Sequence, residues 1–259
     1  MSESKAVKSV DGKERETVLE IINLNKSFKG KEVLKDTNLT LFKGENLVVL
    51  GKSGTGKSVL IKCIVGLLRP DKGSVKVFGR EISQMKKNEL TEIRQRIGFL
   101  FQNGALYDSM TVKQNLVFPL VRIKKGIKKE EVEERVKAVL ESIGLPEVMN
   151  KMPSELSGGM RKRVSLARTI IVDPEIMLYD EPTTGLDPVT SDEISELINE
   201  VQEKYHTSSI IITHDLRCAM KTGDRMIMLH EGVVHSEGSL EEFKESEDPL
   251  IKSFFTETS

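Results

Sequence analysis

The chain of 259 residues has no tryptophan and only two cysteines, Cys63 and Cys218. They lie far apart, with no Cys-x-x-Cys pair and no cysteine/histidine group, which argues against structural zinc and a disulfide framework. Both read as packing residues in a reducing compartment. Long hydrophobic runs are missing as well. No apolar stretch approaches the about 18 residues of a membrane span, and residues 1–17 carry no apolar leader segment. The expectation is a cytoplasmic protein whose work at a membrane, if any, is done through a partner. No charge of one sign dominates. Lysines and arginines number 39 against 40 acids, so there is no global basic field of the kind that marks a nucleic-acid binder.

The length suits one large domain with an inserted part, at about 100 to 200 residues per domain. Residues 1–16 lack aromatics and periodic apolar positions and read as a loose tail. The ordered domain is expected over residues 17–240. Short apolar stretches between Val18 and Leu41, separated by Lys-Gly and Asp-Thr-Asn punctuation, predict antiparallel strands and hairpins, which Val75 and Val77 join. Mostly apolar runs at 97–101, 176–179 and 210–212 suit strands buried on both faces. Helical patterns lie between them, at 59–68 and along the stripe Val132, Val136, Val139, Leu140 and Ile143. The alternation predicts an α/β fold with a parallel sheet. Residues 103–168 show helical signals and no strong strand, and read as a mainly helical insertion. Lys124, Lys125, Lys128 and Lys129, followed by Glu130, Glu131, Glu133 and Glu134, read as a solvated face, with contact to a partner or to lipid headgroups as the alternative. So does the acidic stretch 241–259, expected to be a solvated tail.

Residues 51–58 read Gly51-Lys52-Ser53-Gly54-Thr55-Gly56-Lys57-Ser58, after the apolar run 47–50 and before Val59-Leu60-Ile61. Strand, glycine loop and helix in that order form a phosphate cradle. A triphosphate needs many donors at once. Glycines let backbone N–H groups turn inward around it, and side chains would block that approach. The helix that starts at Lys57 aims its positive end at the same phosphates. Lys57 can reach the β and γ positions, and the Ser58 hydroxyl can ligate Mg²⁺.

Residues 176–181, Ile-Met-Leu-Tyr-Asp-Glu, form a buried strand that delivers two carboxylates at its C-terminal end, where α/β sheets place their ligands. Asp180 is the expected metal partner of Ser58, directly or through water. Glu181 can polarise the water that attacks the γ-phosphate. Thr213, His214 and Asp215 follow the apolar strand 210–212 and should emerge at the same edge. His214 could bond the γ-phosphate or hold the attacking water, or be a solvent-exposed strand end. Gln102, after Phe99-Leu100-Phe101, is likewise a polar residue at a strand end that could sense metal or water. A second glycine motif, Leu156-Ser157-Gly158-Gly159-Met160, opens a helix and offers a second anion site. One phosphate chain cannot comfortably use both loops, so a second copy of the chain would supply this one. The alternative is a capped helix with glycine hinges.

In order, these residues resemble the ATP-binding-cassette (ABC) ATPase family over about residues 18–237. Gly51 to Ser58 matches the Walker A loop, Gln102 the Q-loop and Leu156 to Met160 the signature loop. Residues 176–180 match Walker B, Glu181 the catalytic glutamate, Gly185-Leu186-Asp187 the D-loop and His214 the switch histidine. The resemblance implies a P-loop NTPase cassette with a RecA-like core, an N-terminal antiparallel β subdomain and an inserted helical subdomain. It implies ATP and Mg²⁺, with Phe28 stacked on adenine, Val59 and Asp187 at the nucleotide, and Gln102 as a further metal contact. It also implies a head-to-tail dimer in which Ser157, Gly158 and Gly159 of one copy face the Lys57 loop of the other. Met160 departs from the pattern, where most cassettes carry Gln. Residues 100–112, Asn115-Leu116, Phe118-Pro119-Leu120, the stretch 152–160 and Arg163 are similar to the ATPases of Mce/Mla-type lipid transporters. That subgroup implies hydrophobic cargo, an integral membrane permease, an Mce-domain lipid-binding protein and a place on the inner face of the inner membrane. Two other classes compete: a soluble cassette acting on DNA or ribosomes, which usually shows tandem cassettes, coiled coils or basic arms, and an ATP-responsive interaction module that hydrolyses poorly.

Overall fold

The structure, a computed structural model, describes residues 7, 8 and 14–256. In chain order its elements are β1 (Val7–Lys8), β2 (Glu14–Arg15), β3 (Thr17–Phe28), β4 (Lys31–Phe42), β5 (Asn46–Leu50), α1 (Lys57–Ile64), β6 (Lys72–Val77), β7 (Arg80–Glu81), α2 (Lys87–Gln95), β8 (Ile97–Leu100), α3 (Val112–Ile123), α4 (Lys129–Ser142), α5 (Gly158–Ile170), β9 (Ile176–Asp180), α6 (Pro188–Tyr205), β10 (Ser208–Thr213), α7 (Leu216–Thr222), β11 (Arg225–His230), β12 (Val233–Gly238), α8 (Leu240–Glu245) and α9 (Pro249–Thr256). No helix among the described residues is long and apolar enough to cross a membrane.

A six-stranded sheet runs in the order β12-β11-β5-β10-β9-β8, parallel throughout except for the β11/β12 edge pair. Leu47, Val48, Val49 and Leu50 of β5 are fully buried, as a central parallel strand covered on both faces demands. On one face lies a four-stranded antiparallel sheet, β4-β3-β6-β7. Its Leu19, Ile21, Leu39, Leu41, Val75 and Val77 share a core with α1 and with Leu47 and Val49 of β5. The opposite face carries α3 to α7, whose apolar stripes close over Val48 and Leu50. In α4 that stripe is Val132, Val136, Val139 and Leu140, a spacing that repeats on one helical face. The expected α/β cassette, with its antiparallel part and helical insertion, is the observed architecture.

Register decides what comes together. Thr213 pairs with Leu50 and Ile212 with Asp180, so β5, β9 and β10 end level and release their next residues at one sheet edge. The glycine loop, Glu181 and His214 are those residues, and Asp180 is the last of β9.

Both expected tails need correction. Within 1–16, Val7–Lys8 pair antiparallel with Glu14–Arg15; the rest of that stretch before Glu14 lies outside the described residues. The acidic C-terminal stretch is not a solvated tail as far as Thr256. It folds into α8 and α9, and Phe243, Ile251 and Phe254 enter the helical core beside Met226 and Met228. One of the acids itself builds α8: Ser239 at the N-cap accepts from Glu242 N at 3.2 Å, and Glu242 Oε2 accepts from Ser239 N at 2.7 Å. Such a reciprocal cap satisfies two otherwise orphaned donors. Asp248 does the same for α9, accepting from Leu250 N and Ile251 N, and bonds His235 Nε2 at 2.9 Å. Phe243→Ala is expected to cost about 3 to 5 kcal/mol, the range for a buried aromatic, measured by urea unfolding. A change under about 0.5 kcal/mol, typical of a solvated position, would restore the tail reading.

Candidate functional site

The loop between β5 and α1 needs its glycines for two different reasons. Gly54 and Gly56 have φ of 83° and 105°, where side-chain-bearing residues are strained. Gly56 is also crowded, since a Cβ there would stand 2.8 Å from Val33 O. Gly51 has no such φ, but a Cβ would meet Leu229 O at 2.6 Å. Gly56 caps α1 without a side-chain bond, so the positive end of that helix faces the loop.

Lys57 is only 6% exposed. Its Nζ donates to Gly51 O at 2.5 Å and Lys52 O at 3.1 Å, with Glu181 Oε1 at 3.4 Å. Burial pushes its pKa down, against the pull of Glu181 and Asp180. An ammonium stripped of water in this way attracts a bound anion strongly. Ser58 Oγ donates to Asp180 Oδ1 at 3.3 Å. Burial pushes the Asp180 carboxyl above its ordinary value, with the Ser58 bond and Lys57 opposing the rise. A half-buried carboxylate beside a serine hydroxyl fits a hard divalent cation, which favours oxygen ligands. These residues therefore fit Mg²⁺; Ser58 and Asp180 would hold it, and when bound it would offset phosphate charge.

Glu181 sits in the left-handed region at φ 51°, a conformation a glutamate keeps only when its surroundings impose it. Its N donates to Ile212 O at 2.9 Å, joining it to β10. Its Oε2 accepts from His214 N at 3.3 Å and Thr184 Oγ1 at 3.3 Å, and bonds His214 Nδ1 at 2.8 Å. The carboxylate thus lies between the Lys57 ammonium and the His214 ring. Ser53, Gly54, Gly56, Lys57, Ser58, Val59, Gln102, Glu181 and His214 line one cleft of about 270 Å³, with Val33 as a further wall.

Other residues expected from the sequence lie outside that lining. Gly51 packs on β11, and Thr55 Oγ1 bonds Lys52 O at 3.0 Å. Lys52 Nζ stands 5.9 Å from the Phe254 ring centroid. Phe28, 42% exposed at the end of β3, has Lys26 Nζ 5.4 Å from its ring centroid. Ser157 caps α5, accepting from Met160 N at 3.2 Å. Asp187 caps α6, accepting from Thr190 N at 3.1 Å and Thr190 Oγ1 at 2.6 Å, and those bonds hold its pKa down. Within one chain, the signature loop is therefore a capped helix start, as the alternative reading has it. Met160 packs against the helical core, so the departure from Gln turns an apolar side chain inward. The two glycines differ. A Cβ on Gly159 would meet Thr190 Cγ2 at 2.5 Å, whereas one on Gly158 would meet only Leu186 Cδ2 at an ordinary 3.7 Å. Among the described residues no atom crowds a Cβ at 158. Sequence reading missed Val33, and also Thr184 and Lys162, both of which touch Glu181.

Residues 34–184 match the family model described as ABC transporter. This chain belongs to the ABC transporter family. It is 41% identical over 236 residues to a probable ribonucleotide transport ATP-binding protein, mkl, of Mycobacterium bovis, covering 91% of this chain and 66% of that protein. It is 38% identical over 258 residues to protein TRIGALACTOSYLDIACYLGLYCEROL 3, chloroplastic, of Arabidopsis thaliana, covering 93% and 74%. A methionine import ATP-binding protein, MetN, of Carboxydothermus hydrogenoformans is 40% identical over 238 residues, covering 90% and 70%. The chain thus spans about two thirds to three quarters of these relatives. Among solved structures, a dimeric post-hydrolysis ATP-binding cassette bound to ADP and Pi superposes with a TM-score of 0.79 at 33% identity, covering 86% of this chain and 98% of that one.

The contrast between glycines is testable in the unliganded protein. Gly56→Ala is expected to lower stability by about 1 to 3 kcal/mol, through its positive φ and the contact with Val33, and to weaken ATP binding. Gly158→Ala should leave the unfolding free energy within about 0.5 kcal/mol of the parent. Chemical unfolding of both variants checks the pair, and a large loss at 158 would mean that its glycine serves the fold.

Proposed function

We propose that the chain is the ATP-hydrolysing subunit of a membrane transporter for phospholipid or related hydrophobic cargo, working as a head-to-tail pair of cassettes. The observation that carries the proposal is the placement of Glu181. Its carboxylate stands between Lys57 and His214, in the cleft that also holds Ser58 and borders Asp180. A γ-phosphate held by Lys57 brings its attacking water within reach of that carboxylate, and general-base help is worth about 10²- to 10⁴-fold in rate. His214 orients the carboxylate. Gln102, on the cleft wall, would sense the metal or the attacking water when they are bound. Phe28 offers an exposed ring for the adenine base.

The signature loop completes the site from a second copy. The open space around Gly158 supports this reading, because among the described residues no neighbour crowds a Cβ there. Ser157 and the start of α5 present an anion site away from the Lys57 cleft, and Asp187 lies at the start of α6 near the same face. The dimeric cassette among the structural relatives supports the same assembly.

A permease fits the groove formed by Ser109, Met110, Lys113, Gln114, Val117, Phe118 and Val121, a volume of about 600 Å³ beside α3. The loop leading from Gln102 to that groove is anchored by Asn115, buried, which accepts from Tyr107 N and donates to the carbonyls of Tyr107, Met110 and Thr111. Movement of a permease segment in the groove thereby reaches Gln102. The lipid reading draws on the similarity to Mce/Mla-type ATPases and to a relative named for a galactolipid; an Mce-domain protein is the further partner, and the inner face of the inner membrane the location. The methionine importer at nearly the same identity favours a second reading, in which the same engine drives another cargo. Co-purification with a permease and an Mce-domain protein separates the two.

Glu181→Gln is expected to bind ATP and lower phosphate release by at least about 100-fold, in assays with and without the reconstituted permease. Turnover at the parent rate would remove the assigned base.

A further inference from the structure

Helix α5 carries three consecutive basic residues, and only the middle one turns inward. Arg161 is exposed and donates to Leu156 O at 3.0 Å; Arg163 donates to Ile143 O at 3.2 Å and pairs with Glu193 at 2.7 Å. Lys162 is 6% exposed. It shares its helical face with Ser165 and Leu166, three and four residues on and both buried. Burial pushes its pKa down, while Asp180 and Glu181 favour its charge. An ammonium in such a place is costly unless its donors are used, and an apolar side chain of the same length would pack there without that cost.

Its donors reach two carbonyls. Lys162 Nζ bonds Gln102 O at 2.5 Å and stands 3.5 Å from Glu181 O. Gln102 and Glu181 leave neighbouring strands, since Leu100 of β8 pairs with Tyr179 of β9. Beyond those pairs β8 and β9 are no longer paired with each other, and Glu181 takes its left-handed conformation. The Glu181 N is fixed to Ile212 O and its carboxylate to His214. Its carbonyl side is met by Lys162.

We infer that Lys162 is a positioning residue, whose ammonium ties the Gln102 and Glu181 backbones to each other and to the helix that begins at the signature loop. A displacement of α5 is then passed to the segment bearing the catalytic carboxylate. This rests on the reading of Glu181 as the base. Lys162 lies outside the lining of the Lys57 cleft, so its loss changes kcat and leaves the grip of Lys57 and Ser58 on ATP.

The test is Lys162→Met beside Lys162→Arg, made in the full chain. Steady-state hydrolysis, binding of a fluorescent ATP analogue and amide hydrogen exchange are the readouts. The Met variant is expected to keep nucleotide affinity within about threefold while kcat falls about 10- to 100-fold, the scale of a small misplacement at a reacting centre. Amides at 102–104, 181, 183 and 184 should exchange faster, and Arg should recover part of the lost kcat. Parent-level kcat in the Met variant overturns the proposal, as does a lowered kcat with exchange in both stretches unchanged. If the Met variant does not fold, Lys162→Gln is measured by the same readouts, and the same two outcomes overturn the proposal. Turnover by Glu181→Gln would reject the underlying reading of the base; parent turnover by Lys162→Met, with Glu181→Gln inactive, rejects the tether alone.

Discussion

The buried ammonium of Lys57 is the constraint around which the rest is arranged. It lies among backbone carbonyls, out of water, with one carboxylate at 3.4 Å, and its pKa is depressed by that burial. Such a charge is tolerated when anions are close and donors are used, and a triphosphate supplies more negative charge than a single glutamate. Its position follows from the fold. Helix α1 starts where β5 ends, and the loop between them closes tightly only because Gly51 and Gly56 approach the backbones of Leu229 and Val33.

The chemistry is then assembled by register. Since β5, β9 and β10 end level, Ser58, Asp180, Glu181 and His214 meet without any long loop having to be ordered, which keeps the entropic cost of the site low. The carboxylates take different environments. Asp180 is raised by burial and bonded to Ser58, as suits a metal partner. Glu181 is held on its far side by His214, with its backbone bonded to Ile212 and Lys162. The signature loop stays apart, its serine engaged as a helix cap. Its glycine at 158 has room that its own chain does not use. The proposed reciprocal pair of chains would give both features a purpose.

Much of this was legible in the sequence because it is local. A glycine loop between an apolar run and a helix, or two acids closing a buried strand, is written in consecutive residues. The antiparallel strands and the helical insertion followed from punctuation and periodicity. What escaped depended on distant partners. Lys162 reads as one of three basic residues in a row; only its place on the inward face of α5, against Gln102 and Glu181, sets it apart. Val33 is an unremarkable strand residue until the glycine loop folds against it. The C-terminal helices were hidden because Phe243, Ile251 and Phe254 are spread among acids, and because one of those acids caps a helix instead of facing solvent. Ser157 and Asp187 were legible as motif residues, but their roles within a single chain are caps.

The central claim is that ATP is gripped by Lys57 of one copy and Ser157 of another. A structure of the Glu181→Gln protein with ATP and Mg²⁺ measures this directly. The expected result is a two-chain assembly with Ser157 Oγ about 3 Å from a γ-phosphate oxygen whose other side is held by Lys57 of the opposite copy. Ser157 far from every γ-phosphate, in every nucleotide-bound assembly, would contradict it.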